Sequence, residues 1–252
     1  MRWLIALALA LAAFAGCGDD DSTGASSGGS GGDQQLVVSA AASLTDALTA
    51  CSKDFEGADV KLSFAGSDEL AAQIRQGVKP DVYAAANTKL PDQLADEGLL
   101  ETPVTFATNE LVIAVPEDSD VSSIDDLAQP GVKLVIGSET VPVGAYTRDV
   151  LGRLPSDQEK KILANVRSNE PDVKGVVGKL TQGAADAGFV YRTDLVDGLK
   201  AVTLPEDLQP VVEYGAGAVK GAKQPELAQQ YLDGLTDGAC ADALKSAGFG
   251  AP

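Results

Sequence analysis

A short apolar strand that runs straight into an amphipathic helix is the figure that most limits this chain, and it recurs. Val37 to Ala42 reads as a buried strand. From Leu44 the apolar residues fall at Leu44, Ala47, Leu48, Cys51 and Phe55, one face of a helix. Ser43 precedes that face, where an N-cap belongs, and Asp46 favours the same boundary. Such a junction leaves free backbone N–H groups and the positive end of a helix dipole at the strand's C-terminal edge, a natural anion site. The plain alternative is an ordinary capping serine.

Three more junctions follow. Val60 to Phe64 alternates as a strand and leads through Ala65-Gly66 to Ser67, the N-cap expected for a helix with Leu70, Ala71, Ile74 and Val78 on one face. Asp81 to Ala86 is the next buried strand, and Leu90, Leu94 and Leu99 mark a further helix. Val132 to Gly137 is a strand leading to a helix that starts near Val143. Another helix starts at Val173, and Ala185 to Tyr191 is a strand that delivers Tyr191 at its C-terminal end. Leu199 to Leu204 and Val211 to Val219 read as strands, and Pro225 starts the last helices. Repeated strand–helix units imply an α/β architecture with largely parallel sheets. The apolar run Asn109 to Pro116 and the region of Glu213 read as two crossings between two α/β sets. Ligands of open α/β sheets sit at the carboxyl ends of the strands, which in a bilobed molecule is the cleft.

Composition narrows the chemistry. Of 252 residues none is histidine, and the formal charge is −18. The usual zinc ligand set, the usual triad base and the usual proton shuttle are missing together. No G-x-S-x-G elbow occurs, so a serine hydrolase built on Ser43 or Ser67 would need a lysine or carboxylate base. Nucleic acid is a poor partner for so acidic a chain. The four helix starts (Ser43, Ser67, Val143, Val173) and the Tyr191 phenol offer donors without a formal charge. An all-donor cage suits a small oxyanion that carries no proton, because hydrogen phosphate needs an acceptor in return.

The N-terminus reads as an export signal over residues 1–16, with an apolar run from Trp3 to Ala15 too short to span a bilayer. Phe14-Ala15-Gly16-Cys17 is similar to a lipobox, which makes Cys17 the expected lipidation site; the alternative is ordinary cleavage after Ala13-Phe14-Ala15. Residues 17–34 form a Gly/Ser/Asp tether. Cys51 and Cys240 are left over in an exported chain and are the expected disulfide, which would tie both ends into one lobe. Two buried cysteines that never meet are the alternative.

The segments Ala41-Ala42-Ser43-Leu44-Thr45, Phe64-Ala65-Gly66-Ser67, Pro80-Asp81-Val82-Tyr83, Val141-Pro142-Val143-Gly144, Asp172-Val173-Lys174-Gly175 and Gly188-Phe189-Val190-Tyr191 occur in the order and spacing of periplasmic molybdate-binding proteins, and residues 36–250 as a whole resemble that family. The resemblance implies the two-lobed periplasmic binding protein fold (type II), with two mixed or parallel sheets flanked by helices and a hinge of two crossings. It implies lobe 1 over 35–113 and 214–252 and lobe 2 over 114–213. It implies a solute receptor, not an enzyme, that binds molybdate or tungstate through the oxyanion's oxygens, with no cofactor and no direct protein–metal bond. The implied ligand residues are Ser43 and Ser67 through hydroxyl and amide, Val143 and Val173 through backbone amides, and Tyr191 through its hydroxyl. The expected partner is the membrane permease of an ABC importer, and the expected state a monomer, lipid-anchored to the outer face of the cell membrane. Sulfate is the alternative ligand. The chain departs from the family pattern at Asp68, an acid expected to point away from the anion, and in its lipidation signal. Tyr146, Tyr214 and Arg148 read as structural.

Overall fold

The computed structural model describes residues 34–252; the export signal, Cys17 and all but the last residue of the tether lie outside them. Two five-stranded sheets carry the fold. The first holds β1 (Gln35–Ala41), β2 (Asp59–Ala65), β3 (Val82–Ala85), β4 (Val104–Asn109) and β10 (Val212–Ala218) in the order β2-β1-β3-β10-β4. The second holds β5 (Leu111–Pro116), β6 (Leu134–Gly137), β7 (Val166–Glu170), β8 (Ala187–Tyr191) and β9 (Leu199–Thr203) in the order β7-β6-β8-β5-β9. Both are mixed. β1 runs parallel to β2 and β3, and β6 parallel to β7 and β8; β10 and β5 run antiparallel to both their neighbours.

Among the described residues eight α-helices flank the sheets: α1 (Thr45–Cys51), α2 (Ser67–Arg75), α3 (Lys89–Asp96), α4 (Pro142–Gly152), α5 (Ser156–Ala164), α6 (Val173–Thr181), α7 (Pro225–Thr236) and α8 (Ala239–Ser246). The parallel strands β1, β2, β6 and β7 each feed a helix that lies over the sheet, which sends their C-terminal ends to one edge. Leu111 to Val115 are all buried, as an interior strand covered on both faces requires. One hydrophobic cluster runs from Leu36, Val38 and Leu48 through Tyr214 and Tyr191 to Ile113, Ile136 and Val176, so the two sheets share a core. A second cluster (Leu70, Ile74, Tyr83, Leu94, Leu100) fills the space around α2 and α3.

Three elements escape the sequence pattern. β7 is Val-Arg-Ser-Asn-Glu at a sheet edge, and α5 buries only Ile162, so neither shows the apolar periodicity of a core element. β4 is not read as a strand: the sequence reading begins at its last residue, Asn109, and takes that into the run of β5, although the two strands belong to different sheets. The expected lobe boundaries shift as a result. The one after residue 113 falls inside β5, and the one after 213 falls inside β10. The chain changes sheet at Glu110 and again across 204–211. These two passages are stitched together. Arg192 donates twice to the Glu110 carboxylate, and Gln209 Nε2 donates to Glu110 Oε1 and to the Leu111 carbonyl, both at 3.2 Å.

Cys51, at the end of α1, is bonded to Cys240 in α8, with the Cα atoms 4.9 Å apart. The bond spans 189 residues of sequence. Closing so long a loop in the unfolded chain stabilises the fold by about 5 kcal/mol on a chain-entropy estimate.

Candidate functional site

The C-terminal edges of the two sheets line a small cavity of ≈ 10 Å³, room for about one water. All five expected residues line it: Ser43, Ser67, Val143, Val173 and Tyr191. Each is buried, none more than 6% exposed.

The first-sheet wall comes from the ends of β1 and β2. Neither serine is a helix cap, contrary to expectation. After β1 the chain enters a 3-10 turn, Ala42–Leu44, so Ser43 lies inside the turn and Ala41 holds the cap position. Ser67 is the first residue of α2, and the cap position falls to Gly66. Each hydroxyl oxygen accepts from a neighbour. Ser43 Oγ accepts a hydrogen bond from Tyr214 Oη at 3.0 Å. Ser67 Oγ accepts one from the Ala86 amide at 3.1 Å, while the Ser67 carbonyl accepts from Tyr83 Oη at 2.7 Å. In each serine a lone pair is occupied by a neighbour, which leaves the hydroxyl's own hydrogen to be donated.

The second-sheet wall is built from helix starts. Pro142 and Val143 open α4, Pro142 occupying a position that needs no N–H. Gly144 lets that start press onto β6: a Cβ there would lie 1.8 Å from the Ser138 carbonyl oxygen. Val173 opens α6, capped by Asp172, whose carboxylate accepts from the Gly175 amide at 2.8 Å. The first amides of a helix have no intrahelical acceptor, so Val143 and Val173 present N–H groups at positive dipole ends. Tyr191 completes the wall. Its hydroxyl is buried and without a hydrogen-bond partner. Burial, then the neighbouring Tyr214, Tyr146 and Asp194, push its pKa well above the ordinary phenol value, so it remains a donor.

Several contacts join the two walls. A Cβ on Gly66 would lie 2.4 Å from the Pro171 carbonyl oxygen of the opposite side. Asp68, which is not among the residues lining the cavity, accepts at Oδ2 from Thr140 Oγ1 in the loop before α4, while its Oδ1 is buried without a partner. Lys174 Nζ, in α6, lies 3.3 Å from Asp46 Oδ2 in α1 and 3.2 Å from Asp194 Oδ1. Burial pulls the Lys174 pKa down, but the two carboxylates together raise it. Asp194 is wholly buried, and that burial pushes its pKa to about 6 against the pull of Lys174. Lys174 is thus matched by acids and stays out of the cavity lining, where Asp172 is the one ionisable carboxylate.

Sequence reasoning set Tyr214 aside as structural and gave Asn109 and Ala86 no role at the site. Tyr214 lies 171 residues from Ser43 and Ala86 lies 19 from Ser67, and no local pattern announces either bond. Among the described residues no cluster of His, Cys, Asp and Glu is arranged to hold a metal ion.

Residues 36–250 match the family model described as bacterial extracellular solute-binding protein. The chain is 35% identical over 267 aligned positions to the molybdate-binding protein ModA of Mycobacterium tuberculosis H37Rv, with both chains covered completely. It is 33% identical over 227 positions to the molybdate-binding protein ModA of Escherichia coli K12, covering 83% of this chain and 86% of that one. The solved periplasmic molybdate-binding protein of Azotobacter vinelandii superposes with a TM-score of 0.76 at 21% identity, over 86% of this chain and 99% of that chain. That last likeness is one of fold: two mixed sheets flanked by helices, as in periplasmic binding proteins.

Proposed function

The chain belongs to the bacterial extracellular solute-binding protein family, and from that premise we propose that it captures molybdate, and tungstate with it, and delivers the anion to the permease of an ABC importer. The observation that carries this reading is the Tyr191 hydroxyl, buried in the cavity wall with nothing to donate to. Buried polar groups are rarely left so, and a ligand oxygen supplies the missing acceptor. Ser43, Ser67 and the Val143 and Val173 amides are the other donors in this reading. Hydrogen bonds to a charged oxygen contribute roughly 1.5–3 kcal/mol each, so five or more of them offset much of the desolvation of a dianion without a lysine or arginine. The surface carboxylates of this acidic protein are screened within about 8–10 Å and do not oppose contact donors.

In the same reading the two sheets with their helices act as two lobes that close on the anion about Glu110 and residues 204–211. The protein is exported, as its family is. We assign Cys17 as the lipid anchor and residues 17–34 as the tether that holds a monomeric receptor at the outer face of the membrane.

The test is calorimetry with molybdate, tungstate, sulfate and phosphate in turn, alongside melting curves. Molybdate and tungstate bind one to one, and at about 1,000 times Kd stabilise by about 4 kcal/mol. Phosphate gives no heat at concentrations that saturate molybdate, and its weak binding is read by competition. An unmoved melting curve and no heat at millimolar molybdate overturn the reading.

A further inference from the structure

Ser43 can face a ligand as donor or as acceptor, and which it does is decided outside the cavity. The Glu110 backbone N–H can only donate, and it donates to Asn109 Oδ1 at 2.8 Å. That contact fixes the amide of Asn109, so its Nδ2 is the end turned inward. Nδ2 donates to Thr193 Oγ1 at 2.8 Å and lies 3.4 Å from Tyr214 Oη. An amide nitrogen has no lone pair to offer. The Tyr214 hydrogen is therefore left with one acceptor within reach, Ser43 Oγ at 3.0 Å. With that lone pair taken, the Ser43 hydrogen goes to the cavity. Polarity thus runs in one direction, from the Glu110 amide through Asn109 and Tyr214 to Ser43.

Resting on the reading of the cavity as an oxyanion site, we propose that Asn109 and Tyr214 are positioning residues that turn the Ser43 hydrogen toward the cavity and thereby favour fully deprotonated oxyanions over those that retain a proton. A bare oxygen facing Ser43 accepts its hydrogen, whereas a protonated oxygen must turn its own hydrogen aside, to the one Ser43 lone pair left over or to Asp172. The preference against hydrogen phosphate thus acts through Ser43 in the cavity wall but is set behind it, at the end of β4 and in β10. Ser67 is held as a donor in the same sense, but by the Ala86 backbone amide, which no side-chain substitution alters.

The test uses three variants, with Ser43→Ala alone as the reference for the third, and two anions, molybdate and phosphate, titrated at pH 7. Tyr214→Phe keeps the ring, which packs edge-on against Phe106, Tyr191 and Phe249 with centroids 6.1, 5.8 and 5.3 Å away, and removes the donated hydrogen. Its molybdate Kd rises about tenfold, and the ratio of phosphate to molybdate Kd falls. Asn109→Asp replaces the inward N–H with an acceptor, which takes the Tyr214 hydrogen and turns Ser43 around; the ratio falls by about tenfold more. The added charge weakens both anions alike, so the ratio separates polarity from repulsion. The third variant, Asn109→Asp on a Ser43→Ala background, loses the change in ratio, because the effect acts through Ser43; a general loosening of the site would persist there. Ratios unchanged from wild type in both single variants overturn the inference while leaving the function intact. A wild type that binds no molybdate overturns the function first.

Discussion

The two walls of the cavity do the same chemical work by different means. On the first-sheet side the donors are side-chain hydroxyls, Ser43 and Ser67, each aligned by a neighbour that takes a lone pair. On the second-sheet side they are backbone amides at the starts of α4 and α6, with the unpartnered Tyr191 hydroxyl between them. A hydroxyl wall depends on residue type and on what orients it. An amide wall depends on where a helix begins and is nearly indifferent to the side chain.

The comparison breaks in graded ways. The largest effect comes from denying the walls their approach. Gly66→Ala puts a Cβ 2.4 Å from the Pro171 carbonyl oxygen, and backbone cannot yield cheaply there. Molybdate affinity falls more than about 100-fold, and the melting curve no longer responds to ligand. Next come one donor from each wall. Ser67→Ala and Val173→Pro each lower affinity about 10- to 100-fold by calorimetry. The proline is informative because the first helical position tolerates it, so α6 persists by circular dichroism while one N–H is gone. Tyr191→Phe costs about tenfold in affinity. It raises the ligand-free melting temperature by about 2–4 °C, since an unpaired buried donor is removed. Val143→Ala is the smallest: less than about threefold in affinity, set against about 2 kcal/mol of lost packing in denaturant unfolding. A loss at Val143→Ala as large as that at Ser67→Ala would erase the distinction between the walls.

The same distinction explains what was legible in the sequence. Ser43, Ser67 and Tyr191 stand at strand ends with chemistry of their own, and the order of the segments around them singles them out. Val143 and Val173 could be reached only as helix starts, and both are where the pattern puts them. The capping roles of the serines were misread, because a 3-10 turn and an N-cap leave similar local patterns while the hydroxyl's partner lies elsewhere in the chain. Asn109 and Tyr214 are invisible for the same reason. β7 and α5 bury too little to impose a period, and β4 merges with β5 because one residue separates strands of different sheets.

Glu110 is that residue. Through Gln209 it grips the other passage between sheets, and through Arg192 the end of β8. In the closure proposed above, two connections held so closely would give the halves a single pivot, with little freedom to twist or slide. A motion confined to rotation would bring the same amides and hydroxyls back into register after each anion departs, so the cavity's geometry would be inherited from the pivot.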